Sequence, residues 1–352
     1  MGFVQVLWAA ISTVLSTAGV IGMGAALIRR GWVGPAAVKE WSKTVTGFML
    51  PCFLFSNMSS TTLDQLREGW VLPVFCVVHI MIGMLLGTVT SMLLRADWGP
   101  LGSPTTAARC FGGGIVAMSG FGNASLGLSM MPAIIAGNPA LGTKEHAAFC
   151  VTLYAVLNKV GIWSVAAELL SSCKLDEEKR LGQPSVVAKM LTEPVNVAAA
   201  AGLAVGLTPP LKALFVSGAP LGWAMNSCKT VGTACFPLMT LLLGCNLAQG
   251  TSSDRVDMPS VGVVTIVRLV VFPFVCLGVS RFCMAKGWLP DDPMIQFVIL
   301  LEGCVPTAMT MGMAAPGPNT QKAVSAMLFW QYIFSGFTMA VFIAIFLDEV
   351  LS

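Results

Sequence analysis

Charged residues are scarce in this 352-residue chain: Asp, Glu, Lys and Arg together make up 11% of it, against 55% hydrophobic residues. Soluble domains carry about 25% charged residues. The mean hydropathy of +0.79 places the chain among integral membrane proteins, with the lipid bilayer as its surroundings. The net charge of +3 says little by itself, and we expect no nucleic-acid partner.

Metal-ligating and catalytic patterns are also missing. The eleven cysteines form no Cys-x-x-Cys pair, and the chain has only two histidines. This pattern predicts neither a disulfide framework nor a metal site, and no cofactor is expected. Because no nucleophile–base pair stands out, we do not expect an enzyme.

Long apolar windows dominate the sequence, and about 20 such residues suffice to cross a bilayer. We count ten, numbered here as segments 1 to 10: 3–28, 36–58, 68–94, 105–136, 146–170, 194–216, 219–248, 258–284, 293–314 and 322–348. Residues 1–28 lack the basic start of a signal peptide and are interpreted as the first span. The sequence therefore predicts an all-α polytopic membrane protein with ten transmembrane helices.

A polar stretch, Ser171–Glu193, separates five segments from five. An odd number of spans in each half makes the second half inverted relative to the first. Met49–Phe55 is echoed by Cys235–Met239, and the only two tyrosines, in segments 5 and 10, recur at a similar offset. We therefore predict a first five-helix repeat at 1–170, a linker at 171–193 and a second, inverted repeat at 194–352.

The basic residues of the loops are distributed unequally. Ten crossings put both termini on one side, where the loops carry only five Lys and Arg residues: Arg67, Lys144, Lys212, Arg281 and Lys286. Loops on the other side carry eleven. Because cytosolic loops are rich in Lys and Arg, we expect a cytosolic linker and lumenal or extracellular termini.

Segments 4 and 9 are interrupted near their middles, by Ser119–Asn123 (SGFGN) and by Glu302–Pro306 (EGCVP). As one straight helix, window 105–136 would be about 48 Å long, which exceeds the roughly 30 Å hydrocarbon core. Asn123 and Pro306 lie 183 residues apart, close to half the chain. Paired broken helices in matching positions of two repeats indicate the midplane site of a secondary transporter.

The polar and small residues at these breaks are the candidates for substrate binding. Asn123 precedes a new half-helix, where its side chain can accept from free backbone N–H groups or donate to an anion held at the positive helix end. The full set of binding candidates is Asn123, Ser125, Tyr154, Asn158, Val305, Pro306 and Thr307. The alternative is that glycine and proline only kink these helices for packing.

Ionisable residues inside apolar segments cost free energy to place in the membrane, and they are often functional. Glu302 should be paired or carry a proton, so it is a candidate for ion or proton coupling together with Lys159, Lys229 and His79. The alternatives are a structural ion pair for Glu302, a Lys229 that extends to the interface and a His79 that bonds a neighbouring helix. Arg268 is interpreted as a cytosolic-side anchor.

Several stretches follow one another in the order of a known family. They are 50–56 (LPCFLFS), 122–123 (GN), 132–139 (PAIIAGNP), 244–250 (GCNLAQG), 267–273 (VRLVVFP), 305–309 (VPTAM) and 329–332 (FWQY). In this order the sequence resembles the auxin efflux carrier family, most closely its PIN-LIKES branch. The resemblance implies an inverted 5+5 fold with crossing segments 4 and 9, like that of bile-acid/sodium symporters, and export of auxin-like acids.

By position, the resemblance matches Asn123 to the crossover Asn that binds the substrate carboxylate. Val305 and Pro306 match the second crossover, and Asn158 matches a supporting polar site. Glu302 stands where PIN-LIKES proteins tend to have a neutral Gln. The resemblance also implies an endoplasmic-reticulum location, with the plasma membrane as the alternative, and a homodimer is expected only by analogy.

The sequence thus leads to one main hypothesis and two alternatives. The main hypothesis is a secondary transporter that exports small, auxin-like organic acid anions from the cytosol by alternating access. The first alternative is a sodium- or proton-coupled organic-anion symporter on the same fold. The second is a membrane receptor that binds its ligand without transporting it.

Overall fold

A computed structural model describes residues 3–95, 111–173, 188, 192–216, 218–248 and 258–351. The described residues form helices, with one isolated β-bridge between Gly122 and Thr307. Five of the helices are long and apolar enough to cross a membrane: Val71–Leu94, Phe149–Ser171, Gly222–Asn246, Met258–Ala285 and Asn319–Leu351. The chain is therefore an all-helical integral membrane protein.

Helix bounds in the first half follow the predicted segments. Segment 1 is Phe3–Arg29; segment 2 is Pro35–Thr44, the π-turn Val45–Met49 and Leu50–Met58; segment 3 is Val71–Arg95; segment 4 is Gly112–Gly120 and Ala124–Gly137; segment 5 is Lys144–Gly161, the π-turn Ile162–Ala166 and Ala167–Ser171. A short helix, Leu63–Glu68, joins segments 2 and 3. The predicted start of segment 4, residues 105–110, lies outside the described residues, as does most of the linker.

The second half contains the remaining segments. Segment 6 is Pro194–Leu207 and Pro209–Phe215; segment 7 is Gly222–Ala248; segment 8 is Met258–Ile266, the π-turn Val267–Val271 and Phe272–Ala285; segment 9 is Pro293–Cys304 and Met311–Ala314; segment 10 is Pro318–Leu351. Segment 9 starts with Asp292, whose carboxylate accepts from the N–H groups of Met294 and Ile295, so the half-helix has a defined beginning.

Segment 6 differs from the straight span that the window 194–216 predicts. Its two helices, Pro194–Leu207 and Pro209–Phe215, meet at an angle of 106°. The reason is local: Thr208 precedes Pro209, and a residue before proline is driven out of the helical region. Thr208 accordingly has extended backbone angles.

The described helices pack in two groups. Segment 7 packs against segments 1 and 2, and segment 2 packs against segment 6. In the other group, segment 3 packs on the first half of segment 4 and on segment 5, while segment 9 packs on segments 8 and 10. Segment 1 contacts both segment 10 and the second half of segment 4, so the two groups meet there.

Segments 1 and 7 lie so close that their backbones are in contact, and two glycines allow this approach. A Cβ atom at Gly24 would overlap the carbonyl oxygen of Leu241, and one at Gly244 would overlap that of Ile21. Small residues at such contacts let membrane helices approach closely, so that van der Waals packing helps to hold them together.

We therefore predict that Gly244→Ala lowers the thermal unfolding midpoint in detergent, because overpacking a close contact costs about 1–3 kcal/mol. The matched control is Gly278→Ala in segment 8, where a Cβ would meet nothing within 4 Å. That change should leave the midpoint unchanged or raise it. Equal midpoints for the two variants would contradict the close-contact role of Gly244.

Candidate functional site

Both predicted interruptions are present as breaks in the helices. Segment 4 stops at Gly120 and resumes at Ala124. Segment 9 stops at Cys304 and resumes at Met311. Val305 is extended, with φ −70° and ψ 145°, because the following Pro306 disfavours a helical conformation there.

The two breaks lie side by side as a short antiparallel pair. The N–H of Asn123 donates to the carbonyl of Pro306 at 2.8 Å, and the N–H of Ala308 donates to the carbonyl of Phe121 at 3.0 Å. Gly122 and Thr307 form the bridge between these two bonds. Each break thus supplies hydrogen-bond partners to the other, which non-helical backbone needs at membrane depth.

Arg268 fastens the ends of both interrupted helices. Its Nε donates to the carbonyl of Val305 at 3.1 Å, and its Nη1 donates to the carbonyl of Ser119 at 2.9 Å. The guanidinium lies 4.4 Å from the ring centroid of Phe272, and the residue is 1% exposed. The interpretation of Arg268 as a cytosolic-side anchor is therefore wrong: its charge is held inside the protein by backbone carbonyls rather than at the interface.

Two amide side chains complete the fastening of the breaks. Asn158 of segment 5 donates through Nδ2 to the carbonyl of Gly122 at 2.6 Å. Gln331 of segment 10 accepts the N–H of Thr307 at 2.9 Å through Oε1. The hydroxyl of Thr307 in turn donates to the carbonyl of Met118. Segments 5, 8 and 10 therefore all hold the crossing of segments 4 and 9.

Asn123 and Tyr332 link the first break to the second through their side chains. Asn123 donates through Nδ2 to the Tyr332 hydroxyl at 2.6 Å, and that hydroxyl lies 3.2 Å from the carbonyl of Thr307 and donates to it. Asn123 occupies the N-cap position of Ala124–Gly137, but its side chain makes no capping bond. The expected capping role is therefore wrong for this conformation, because the amide points to Tyr332.

Glu302 lies in the last turn before the second break and is 1% exposed. Within the described residues neither carboxyl oxygen has a hydrogen-bond partner. The carboxyl faces Gly127, in the first turn of the helix after the other break, where a Cβ would overlap Oε1. The basic groups whose charges act on it are Arg268 and Lys159. Glu302 is thus a buried acid beside the start of the neighbouring half-helix.

His79 and Tyr154 form a second layer beside Glu302. The Nδ1 atom of His79 lies 3.0 Å from the Tyr154 hydroxyl. The His79 ring also contacts the rings of Phe75 and Phe272. In the described part of the chain, Nε2 of His79 is buried without a partner. The pair therefore extends the buried polar cluster towards segment 3.

Not every candidate from the sequence joins this cluster. Lys229 is exposed on segment 7 and lies outside the buried cluster. Ser125 is half-buried in the first turn after Asn123. The structure brings together Asn123, Asn158, Val305, Pro306 and Thr307, with Tyr154, His79, Lys159 and Glu302 next to them.

Three residues at the crossing, Arg268, Gln331 and Tyr332, were not among the predicted site residues. A signal for Arg268 exists in the sequence, because it falls in the middle of segment 8 rather than at an end. Gln331 and Tyr332 are adjacent polar residues inside segment 10. Asn123, Thr307 and Gln331 are at most 2% exposed, so side chains close the crossing in this conformation.

Comparison with known proteins gives a consistent result along the chain. The profile of a family described as membrane transport protein matches residues 9–343. PIN-LIKES 7 of Arabidopsis thaliana is 24% identical over 351 residues, covering 87% of this chain and 88% of that protein, and PIN-LIKES 5 is 25% identical over 88% and 89%. PIN-LIKES 6 is 35% identical over 162 residues, which are 46% of this chain and only 38% of that protein.

For the crossing itself we predict that Arg268→Lys lowers the free energy of unfolding by about 1.5–3 kcal/mol. The planar guanidinium reaches the two carbonyls with separately placed N–H groups that a compact ammonium does not reproduce, and a hydrogen bond to a charged group is worth that much. Thermal unfolding in detergent measures the effect. Arg281→Lys is the control: its guanidinium donates to Glu349 from an exposed position. Equal, small shifts for both variants would show that Arg268 does not hold the breaks.

Proposed function

This chain belongs to the membrane transport protein family, and from that premise we propose that it is a secondary carrier of small organic acid anions. The carrier binds the anion at the crossing of segments 4 and 9 and moves it by alternating access. The names of its relatives place it beside the PIN-LIKES proteins of Arabidopsis thaliana. Auxin-like acids, with one carboxylate on an apolar ring, are the proposed substrates.

The balance of buried charge is the observation that carries this proposal. Arg268 and Lys159 are each 1% exposed beside the crossing. Glu302 is also buried there, and its carboxyl interacts electrostatically with both of these cationic groups. With all three ionised, one positive charge remains uncompensated. Buried charge without a counter-charge costs several kcal/mol, so this site favours an incoming anion over a neutral or cationic ligand.

The helix after Asn123 supports the same choice of ligand. Its N-terminus carries the partial positive charge of the helix dipole, which favours an anion at that point. In the closed conformation the Tyr332 hydroxyl accepts the Asn123 amide. A substrate carboxylate would take that place, with Thr307 and the extended Val305–Pro306 backbone on the opposite side. Ser125, Tyr154 and Asn158 are proposed to complete the pocket.

We further propose that residues 1–170 and 194–352 are inverted repeats joined by the 171–193 linker. The packing supports this, because exchanging segments 1 and 6, and 2 and 7, turns the contact between 1 and 7 into the contact between 6 and 2. In the same way, exchanging segments 3 and 8, and 4 and 9, turns the packing of segment 3 on the first half of 4 into that of 8 on 9. Rocking of one helix group against the other then gives alternating access.

Export of an anion requires no second ion in this proposal. Moving one negative charge out of an inside-negative compartment gains about 2.3 kcal/mol per 100 mV, provided that the carrier returns empty. The proposed direction is from the cytosol to the lumen of the endoplasmic reticulum or to the cell exterior, with the termini on that far side and the linker in the cytosol.

Proton coupling is a second candidate, favoured by the unpartnered carboxyl of Glu302. The groups around it are Lys159 and Tyr154 from segment 5, Cys76 and His79 from segment 3, Arg268 from segment 8 and Cys304 from its own segment. An ionised Glu302 repels a substrate carboxylate, whereas a protonated Glu302 does not. Protonation would therefore strengthen anion binding, as in a symporter. Lys229 would act only from its exposed position.

We predict that Asn123→Ala reduces uptake of labelled indole-3-acetate and benzoate into proteoliposomes at least tenfold, because the amide that positions the carboxylate is lost. Size-exclusion profiles should stay unchanged. Asn138→Ala is the matched control: it lies at the other end of the same half-helix and donates to the Ile134 carbonyl. Wild-type flux in Asn123→Ala would refute the site, and binding without any flux in the unmutated protein would indicate a receptor.

For Glu302 we predict that lowering the pH on the substrate side reduces the half-saturation concentration of the wild type, since protonation removes a competing negative charge. Glu302→Gln should have a low half-saturation concentration that no longer depends on pH. Glu40→Gln, at an exposed ion pair with Lys43, should keep the wild-type pH profile. A pH profile that survives in Glu302→Gln rules out this residue as the coupling group, and dependence on sodium would favour the sodium symporter.

A further inference from the structure

A polar pocket lies away from the crossing, between the end of segment 2 and segment 5. Its volume is about 260 Å³, just below the lower end of the range for small-molecule sites. We call it the outer pocket; it is lined by Asn57, Ser60, Thr61, Gln65, Phe149, Thr152 and Leu153. Five of these seven residues carry neutral hydrogen-bonding side chains, which is unusual for a surface between membrane helices.

The outer pocket belongs to the face on which segment 2 ends and segment 5 begins. Lys212, from the short helix Pro209–Phe215, reaches the same face and donates to the carbonyls of Ser60 at 2.9 Å and Thr61 at 3.3 Å. Both of those residues line the pocket. A positive charge is therefore fixed at its edge, where it raises the local concentration of anions.

One face of segment 5 leads from the outer pocket to the crossing. Thr152 and Lys159 are seven residues apart, so they share a face and are separated by about 10.5 Å along the helix axis. Ala155 and Val156, which lie between them on that face, are only partly buried. Lys159 interacts electrostatically with Cys235 of segment 7 and with Glu302. This face therefore follows the contact between the two helix groups.

We propose that the outer pocket is a second binding subsite for the transported carboxylate, on the face of the protein that carries Lys212. The inference rests on the proposed carrier function. It adds the path of the anion, which runs between Lys159 at the crossing and Lys212 at the outer pocket. Because its walls come from both helix groups, the pocket changes shape when the groups move relative to each other.

The contacts within the pocket indicate which groups bind the ligand. Gln65 uses its amide oxygen to accept the N–H of Thr62 at 3.0 Å, which leaves its two amide hydrogens outside that bond. Thr152 offers a hydroxyl, and Phe149 offers an aromatic ring next to it. A carboxylate can accept from the amide and the hydroxyl, while the apolar body of an aromatic acid packs on Phe149.

The test is the half-saturation concentration of labelled indole-3-acetate, measured separately from each face of oriented proteoliposomes. Thr152→Val removes the hydroxyl without changing shape, and Lys212→Gln removes the charge. We expect each change to raise the value three- to tenfold on the Lys212 face only, and the Lys212→Gln effect to disappear at high ionic strength. Thr338→Val and Lys286→Gln are the matched controls and should leave the half-saturation concentration unchanged on both faces.

Each result decides the proposal. A shift on the Lys212 face alone, with unchanged values on the other face, supports the subsite. Flux that both variants leave unchanged, or equal shifts on both faces, overturns the subsite while the carrier function stands. Absence of flux in the wild type with every acid tested overturns the carrier function and the subsite together.

Discussion

The structure depends on one constraint: backbone that leaves the helical conformation inside a membrane must find hydrogen-bond partners within the protein. Here the two interrupted helices satisfy each other, through the bonds from Asn123 to Pro306 and from Ala308 to Phe121. Arg268, Asn158 and Gln331 then bond further carbonyl and N–H groups around the pair. Each break thus supplies hydrogen-bond partners to the other, so the two halves of the chain are held together at this crossing.

That tie also determines the chemistry of the site. A cationic side chain that fastens carbonyl groups brings a charge to the centre of the protein, and Lys159 adds a second one close by. A carrier that uses this charge for substrate must exchange internal contacts, such as that between Asn123 and Tyr332, for contacts with the anion. Binding and conformational change would then be parts of one process, because the residues that close the crossing are those that hold the ligand.

Much of this arrangement can be predicted from the sequence, and there are physical reasons why the rest cannot. Glycine and proline mark both breaks, because their backbone preferences act locally. The same rule makes the bend before Pro209 predictable, although the apolar window conceals it. The role of Arg268 and the orientation of Asn123 could not be predicted, since both depend on which carbonyl or hydroxyl a distant segment presents. Hydropathy indicates that a polar residue is buried, but not what it bonds.

The contact between Glu302 and Gly127 makes the orientation of the acid depend on the size of its neighbour. A carboxyl oxygen of Glu302 occupies the space that a Cβ atom at position 127 would fill. Because that oxygen is the end of a flexible side chain, a larger residue at position 127 would turn the carboxyl away from the half-helix and leave the backbone in place. The size of residue 127 therefore sets the direction in which the acid points, although residue 127 itself has no side chain to offer a ligand.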